Sequence, residues 1–246
     1  MIDPFGRIRD RDGAPARWMP IVRDAVAGAF GLLFPSECAG CGEPDRALCI
    51  DCRGMLSVAG RHRGSLHRQS LADGTVVFSA LPYEGGVRAA ILAFKERGRT
   101  DAAGALSLAL KLAIEAAATH AALPVEVCPI PATRQAIRRR GYRPVDVLLR
   151  RAGFRPASVL AATTSTIQQK SLGQLARQRN VRNSFRAKVP LHGRRFLLVD
   201  DIVTTGATLA DAARAVSAAG GEVVSAATLA FTPRRRPEEA PRAAAA

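Results

Sequence analysis

Aromatic residues are scarce in this chain of 246 residues: nine Phe, two Tyr and one Trp, 5% of the total. That scarcity argues against a surface that grips single-stranded nucleic acid by stacking bases on rings. It leaves the core to Ala, Val, Leu and Ile, which suits an α/β protein. Acidic residues are also in deficit, 21 Asp and Glu against 36 Lys and Arg, for a formal charge of +15. Such a surface attracts polyanions at long range. Lysine is nearly missing, with only Lys95, Lys111, Lys170 and Lys188, so almost all the positive charge is arginine. A composition heavy in Arg, Ala, Gly and Pro also follows from GC-rich coding, so the clustering of the arginines says more than their number.

The apolar run near the N-terminus is short. The stretch 25–34 is too short to span a bilayer, Asp10, Asp12 and Asp24 interrupt its positive flank, and no small-x-small cleavage site follows. A short amphipathic helix over "IVRDAVAGAFGLLFP" is expected, in a cytoplasmic protein that does not insert into a membrane. There is no internal repeat. One main domain is expected at this length, with a small appendage.

What is there reads as follows. Residues 1–20 are charged and contain Pro and Gly, and 232–246 form a tail; both are expected to be disordered. Residues 21–60 hold the amphipathic helix and a cysteine-rich module, and 74–231 the main domain. Within it "TVVFSALPYEGG" predicts a strand and turn, "VRAAILAFKERG" an amphipathic helix ending at Gly98, and residues 102–119 a second helix. "VEVCPIP" predicts a short strand stopped by Pro129 and Pro131, followed by an arginine-rich loop and a helix over "PVDVLLRRAG". "RRFLLVD", "TLADAARAVSAAGG" and "EVVSAATLAF" predict strand, helix and strand. Strands alternating with helices imply a mostly parallel sheet that binds ligands at the carboxyl ends of its strands.

Cys38, Cys41, Cys49 and Cys52 stand in a C-x2-C-x7-C-x2-C array. This spacing suits a structural zinc ion held by four thiolates, with Gly40 and Gly42 relieving the first turn. The alternative, two disulfides, is disfavoured in the cytosol. So short a module cannot bury a core of its own, and metal binding would supply its folding energy. Cys128 fits a small core residue, and His62, His67, His120 and His192 show no metal spacing.

Asp200 and Asp201 close a run of four apolar residues and lead into "IVTTGAT". A helix cap explains one acid and leaves the loop unexplained. Gly206 permits a sharp turn in which backbone N–H groups converge on an anion, with the hydroxyls of Thr204, Thr205 and Thr208 nearby. A phosphate at one end and a vicinal diol beside it describe a ribose 5-phosphate, whose hydroxyls two carboxylates can accept.

At this point "FLLVDDIVTTGAT", Phe196 to Thr208, resembles the thirteen-residue phosphoribosyl pyrophosphate (PRPP) motif of type I phosphoribosyltransferases. The cysteine array after "LLFP", "YEGGVRAAILAFK", "PIPATRQAIRRRGY" and "QKSLGQLARQRNVRNSF" then follow the order found in the ComF family, phosphoribosyltransferase-like proteins linked to competence and DNA uptake, over about residues 22–231. The resemblance implies a type I phosphoribosyltransferase-like parallel sheet flanked by helices, with a small N-terminal zinc knuckle. It implies that Asp200 and Asp201 hold the ribose hydroxyls and act in catalysis. Thr204, Thr205, Gly206, Ala207 and Thr208 would take the 5-phosphate. PRPP would come with Mg²⁺ and meet an acceptor of unknown identity, and competence proteins become candidate partners. "RGYRPVD" departs from the family, with Arg143 where many relatives have Asn.

Arg138, Arg139 and Arg140 follow a strand that should end beside the acids, where guanidinium forks suit the pyrophosphate of PRPP. Lys95 is a second candidate for that role. Arg150, Arg151 and Arg155 read as a solvated face. Gln169, Arg177 and Asn180 sit where a hood would cover the site. A ligand sensor or scaffold in DNA uptake is the competing function, with weak, sequence-independent binding of single-stranded DNA through the arginines.

Overall fold

A computed structural model describes residues 37–44, 46–57, 66–122, 124–163 and 183–233. The expected N-terminal helix, the tail beyond residue 233 and the hood residues Gln169, Arg177 and Asn180 lie outside the described residues.

The main sheet has five strands in the order β1-β2-β7-β6-β3. They are β1 (His67–Ser70), β2 (Val76–Pro82), β3 (Glu126–Pro129), β6 (Arg195–Val203) and β7 (Glu222–Phe231). β2, β7, β6 and β3 run parallel, and β1 adds an antiparallel edge through a hairpin with β2. Parallel strands need both faces covered, and the apolar run of β6 meets that need by alternation. Leu197 and Val199 face one core with α2 (Gly85–Glu96), α3 (Ala103–Ala121) and α5 (Pro144–Arg151). Phe196 and Leu198 face the other, with α6 (Ala207–Ser217).

The helical stretch Thr100–Ala121 is long and apolar enough to cross a membrane. Here it is a core helix: Leu106, Leu110 and Ile114 are buried in the first core. Burial of each such side chain is worth about 1.5–3 kcal/mol. A second, antiparallel sheet of two short strands, β4 (Leu160–Ala162) and β5 (Phe185–Ala187), stands beside the main one.

Two sequence expectations need correction. The arginine-rich loop after β3 is helix α4 (Arg134–Arg140). Thr133 caps it by accepting a hydrogen bond from the Ala136 amide at 3.2 Å, and Gly141 ends it at φ +76°. Its three C-terminal arginines sit at the negative end of the helix dipole, a favourable place for cations. The strand expected to end at Asp200 continues to Val203, so both acids lie within the ladder; Asp200 pairs in register with Thr228.

Candidate active site and metal centre

The carboxyl ends of β3 and β6 open into a cavity of about 230 Å³. Its lining includes Asp200, Asp201 and Thr208 from β6 and α6, Ile130 and Arg140 after β3, and Arg143 and Asp146 at the start of α5. Leu160 and Phe185 of the small sheet form part of the wall.

Neighbouring residues of a strand point to opposite faces, and the two acids have different surroundings. Asp201 shares a face with Val199 and pairs with Lys95 of α2, Nζ to Oδ2 at 2.8 Å. Asp200 accepts the Asp201 amide at 2.8 Å, and among the described residues it has no cation in contact. Burial, then the Asp201 carboxylate, push the Asp200 pKa up to about 8, against the smaller pull of the Asp201 amide and Lys95.

The turn after β6 is built on Gly206, at φ +80°. A Cβ there would also stand 2.3 Å from Leu71, whose side chain packs over the turn from the β1–β2 hairpin. Helix α6 begins at Ala207, Thr204 and Thr205 are exposed, and Thr205 Oγ1 accepts weakly from the Ala207 amide at 3.4 Å. The first amides of a helix have no partner within it, so this turn can receive an anion.

The expected arginines separate. Arg140 lines the cavity, pairs with Glu96 and keeps a buried Nε without a hydrogen-bond partner. Arg139 is 66% exposed, pairs with Glu96 at 2.5 Å and does not line the cavity; Arg138 is exposed and does not line it either. Both arginine pairs hold the Glu96 carboxyl below its usual range, the hydrogen bond from Arg140 first. Lys95, a candidate for pyrophosphate, is engaged by Asp201. Arg150, Arg151 and Arg155 are exposed, as the sequence indicated.

Two acids escaped the sequence reading. Asp146 lines the cavity from the first turn of α5. Asp211 is buried on α6, and its carboxylate accepts the amides of Asn183, Ser184 and Phe185 at 2.9, 2.8 and 3.2 Å and Arg214 Nε at 2.8 Å. It thereby fixes the chain where β5 enters the cavity wall. A carboxylate on the inward face of an amphipathic helix was the available signal.

The four array cysteines converge, with all Sγ atoms within 4.8 Å of one another and Cys41 Sγ 3.7 Å from Cys49 Sγ. Zinc–thiolate bonds of about 2.3 Å give a tetrahedral edge of about 3.8 Å, so the cluster fits a zinc knuckle. None of the four is in a disulfide. Burial raises the Cys38 thiol, but the amides of Cys49, Cys41 and Gly40 together outweigh it and bring its pKa down to about 6, favouring a thiolate. A Cβ at Gly40 would meet Cys52 Sγ at 2.6 Å, so close approach is what requires glycine there; Gly42 turns at φ +82°. Helix α1 (Ile50–Leu56) completes the module, and Arg99 ties it to the main domain by donating to the carbonyls of Glu37 and Ala47 at 2.7 and 3.3 Å. Cys128 is a buried core thiol, raised to about 12 by burial. His67 stacks on Phe231 at 3.9 Å and His120 tilts against Phe78.

The phosphoribosyl transferase domain family matches residues 136–243. The DNA utilization protein YhgH of Escherichia coli (strain K12) is 32% identical over 51% of this chain and 59% of its own length. This chain thus matches less than two thirds of that relative. The YhgH protein of Salmonella typhi is 28% identical over 63% of this chain and 67% of its own. Competence protein F of Haemophilus influenzae is 27% identical over 76% and 86%. A solved adenine phosphoribosyltransferase overlaps with a TM-score of 0.35 at 16% identity, over 71% of this chain and 89% of that one, too loose a likeness to argue from.

Proposed function

We propose that this chain, which resembles the ComF family in its phosphoribosyl transferase domain match, its similarity to Competence protein F and its four-cysteine cluster, binds PRPP with Mg²⁺ and transfers phosphoribosyl to a nitrogen acceptor. The observation that carries the reading is that the acid pair and Thr208 line one cavity, with the Gly206 turn joining them along the chain. The turn and the hydroxyls of Thr204, Thr205 and Thr208 receive the 5-phosphate. Asp200 and Asp201 accept the two ribose hydroxyls, and Arg140 faces the diphosphate. Where Mg²⁺ is bound with PRPP, it would supply neutralisation of charge on the leaving diphosphate.

The anomeric carbon–oxygen bond breaks, and its electron pair leaves with diphosphate. The lone pair of the acceptor nitrogen forms the new bond and the nitrogen gives up its proton. The carboxylates steady the sugar as positive charge develops on the ring. Zinc at the four cysteines is structural, since four thiolates fill every position and leave none for a reacting water.

The competing reading is a PRPP-binding sensor or scaffold in DNA uptake, favoured by the relatives' names, "DNA utilization protein" and "Competence protein F". Single-stranded DNA would then bind weakly through the arginines, with affinity falling steeply in salt. A four-thiolate zinc site and a phosphorylated sugar ligand are in keeping with a cytoplasmic setting for either activity. Pyrophosphate release on mixing protein, Mg²⁺, PRPP and candidate bases supports the transferase. PRPP binding without release supports the sensor, and failure to bind PRPP overturns both.

A further inference from the structure

The last turn of α2 carries two adjacent residues of opposite charge, and each meets a different wall of the cavity. Lys95 pairs with Asp201 of β6, and Glu96 pairs with Arg140 of α4. The proposed function uses Asp201 and Arg140. It gives no role to Glu96, which does not itself line the cavity.

Arg140 is a long side chain with one anchor. It is 15% exposed, and among the described residues its hydrogen-bond partner is the Glu96 carboxylate alone, Nη2 donating to Oε1. Its Nε is buried without an acceptor, so the guanidinium keeps donors that a ligand oxygen can take. The anchor is itself fixed. The second oxygen of Glu96 accepts from Arg139 Nη2 at 2.5 Å. The Tyr142 hydroxyl donates to the Phe94 carbonyl, and the two rings lie 5.7 Å apart, which holds the end of α2 against the chain just after α4. A guanidinium fork aligned in advance loses less freedom when it meets an anion.

We infer that Glu96 is a positioning residue for the diphosphate: it aims the Arg140 guanidinium at the leaving group and strengthens diphosphate binding in spite of its own negative charge. Charge alone gives the opposite sign. Glu96 is an anion beside a site that takes an anion, and its removal would leave Lys95, Arg140 and Arg143 less opposed, with Asp146, Asp200 and Asp201 unchanged. By Coulomb's law a neutral side chain at position 96 would then bind diphosphate more tightly. Positioning makes it bind more weakly.

This inference rests on the phosphoribosyl reading, and its test separates the two. Calorimetry on the full chain measures diphosphate, PRPP and ribose 5-phosphate separately, each with Mg²⁺. Glu96→Gln should weaken diphosphate and PRPP about 5-fold or more and leave ribose 5-phosphate, which lacks the leaving group, within about two-fold. Ribose 5-phosphate binding thereby also reports that the variant is folded. In an Arg140→Gln background, Glu96→Gln should change diphosphate affinity by less than about two-fold, because the side chain it positions is gone. Unchanged or tighter diphosphate binding in Glu96→Gln would overturn the inference. So would an equal loss of ribose 5-phosphate, which marks a merely structural role, or a full additional loss in the Arg140→Gln background. Failure of the wild type to bind PRPP, with diphosphate binding and its Glu96 dependence intact, would overturn only the phosphoribosyl reading; failure to bind either would overturn both.

Discussion

The ammonium of Lys95 stands 2.8 Å from Oδ2 of Asp201, while Asp200, the next residue along the strand, has no such partner among the described residues. Burial and the neighbouring Asp201 carboxylate push Asp200 towards its neutral form. Lys95 also lowers Asp200, so Lys95→Met should drive the Asp200 pKa higher and reduce PRPP affinity at pH 7. The rise of affinity with increasing pH should move to higher pH, read by PRPP titrations at pH 6, 7, 8 and 9. An unmoved profile would detach Lys95 from the site's electrostatics.

Asp200 itself links stability to pH. Its folded pKa, about 8, lies above the ordinary aspartate value of 3.8, so the folded state holds this proton more tightly. The stabilisation is complete below about pH 4 and is lost as pH climbs towards 8. Asp200→Asn should flatten that slope and raise the melting temperature of the unliganded protein at pH 8 by about 3 °C or more. It should also abolish the proton release that accompanies PRPP binding near pH 7, measured by calorimetry in buffers of different ionisation enthalpy.

Much of this fold was legible because its signals are local. The Pro-stopped β3 and the Gly-closed α6 each carry their boundary in a few residues, and the apolar run of β6 marks the strand though not its end at Val203. The C-x2-C pairs likewise fix their own geometry. What was not legible depends on tertiary partners. Helix α4 looked like a charged loop, because Arg139 and Arg140 are satisfied by Glu96 of α2, a residue 44 positions from Arg140. The short strands β1, β4 and β5 have few residues to show periodicity, and Asp211 takes its meaning from amides 26–28 residues away. The inequality of the two acids was hidden because adjacent letters conceal the pleat that separates them.

Gly40→Ala should lower zinc affinity without moving the active site. The added Cβ would fall 2.6 Å from Cys52 Sγ, forcing one ligand out of the cluster. The wild type purified without added metal should carry about one zinc per chain by elemental analysis, and the variant should release it faster to a chelator. Equal release rates would remove the steric argument, and a folded, metal-free knuckle would remove the zinc assignment.

Asp211→Ala should destabilise the protein by about 3 kcal/mol, because it strands the amides of residues 183–185 and frees Arg214. Denaturant unfolding measures the loss, and hydrogen exchange should show the β5 amides opening first. Unchanged protection there would mean that other contacts fix the β5 wall.

The central claim is that the acid pair accepts the ribose hydroxyls of PRPP, and calorimetric titration of Asp201→Asn with PRPP and Mg²⁺, beside the wild type, tests it most directly. The substitution keeps the side chain's shape and replaces an anionic acceptor with a neutral one. A charge-assisted hydrogen bond is worth about 1.5–3 kcal/mol, so affinity should fall about 10- to 100-fold, whatever stability is lost with the Lys95 pair. Normal PRPP affinity combined with a lower melting temperature would make the pair a structural element of β6 and contradict the account.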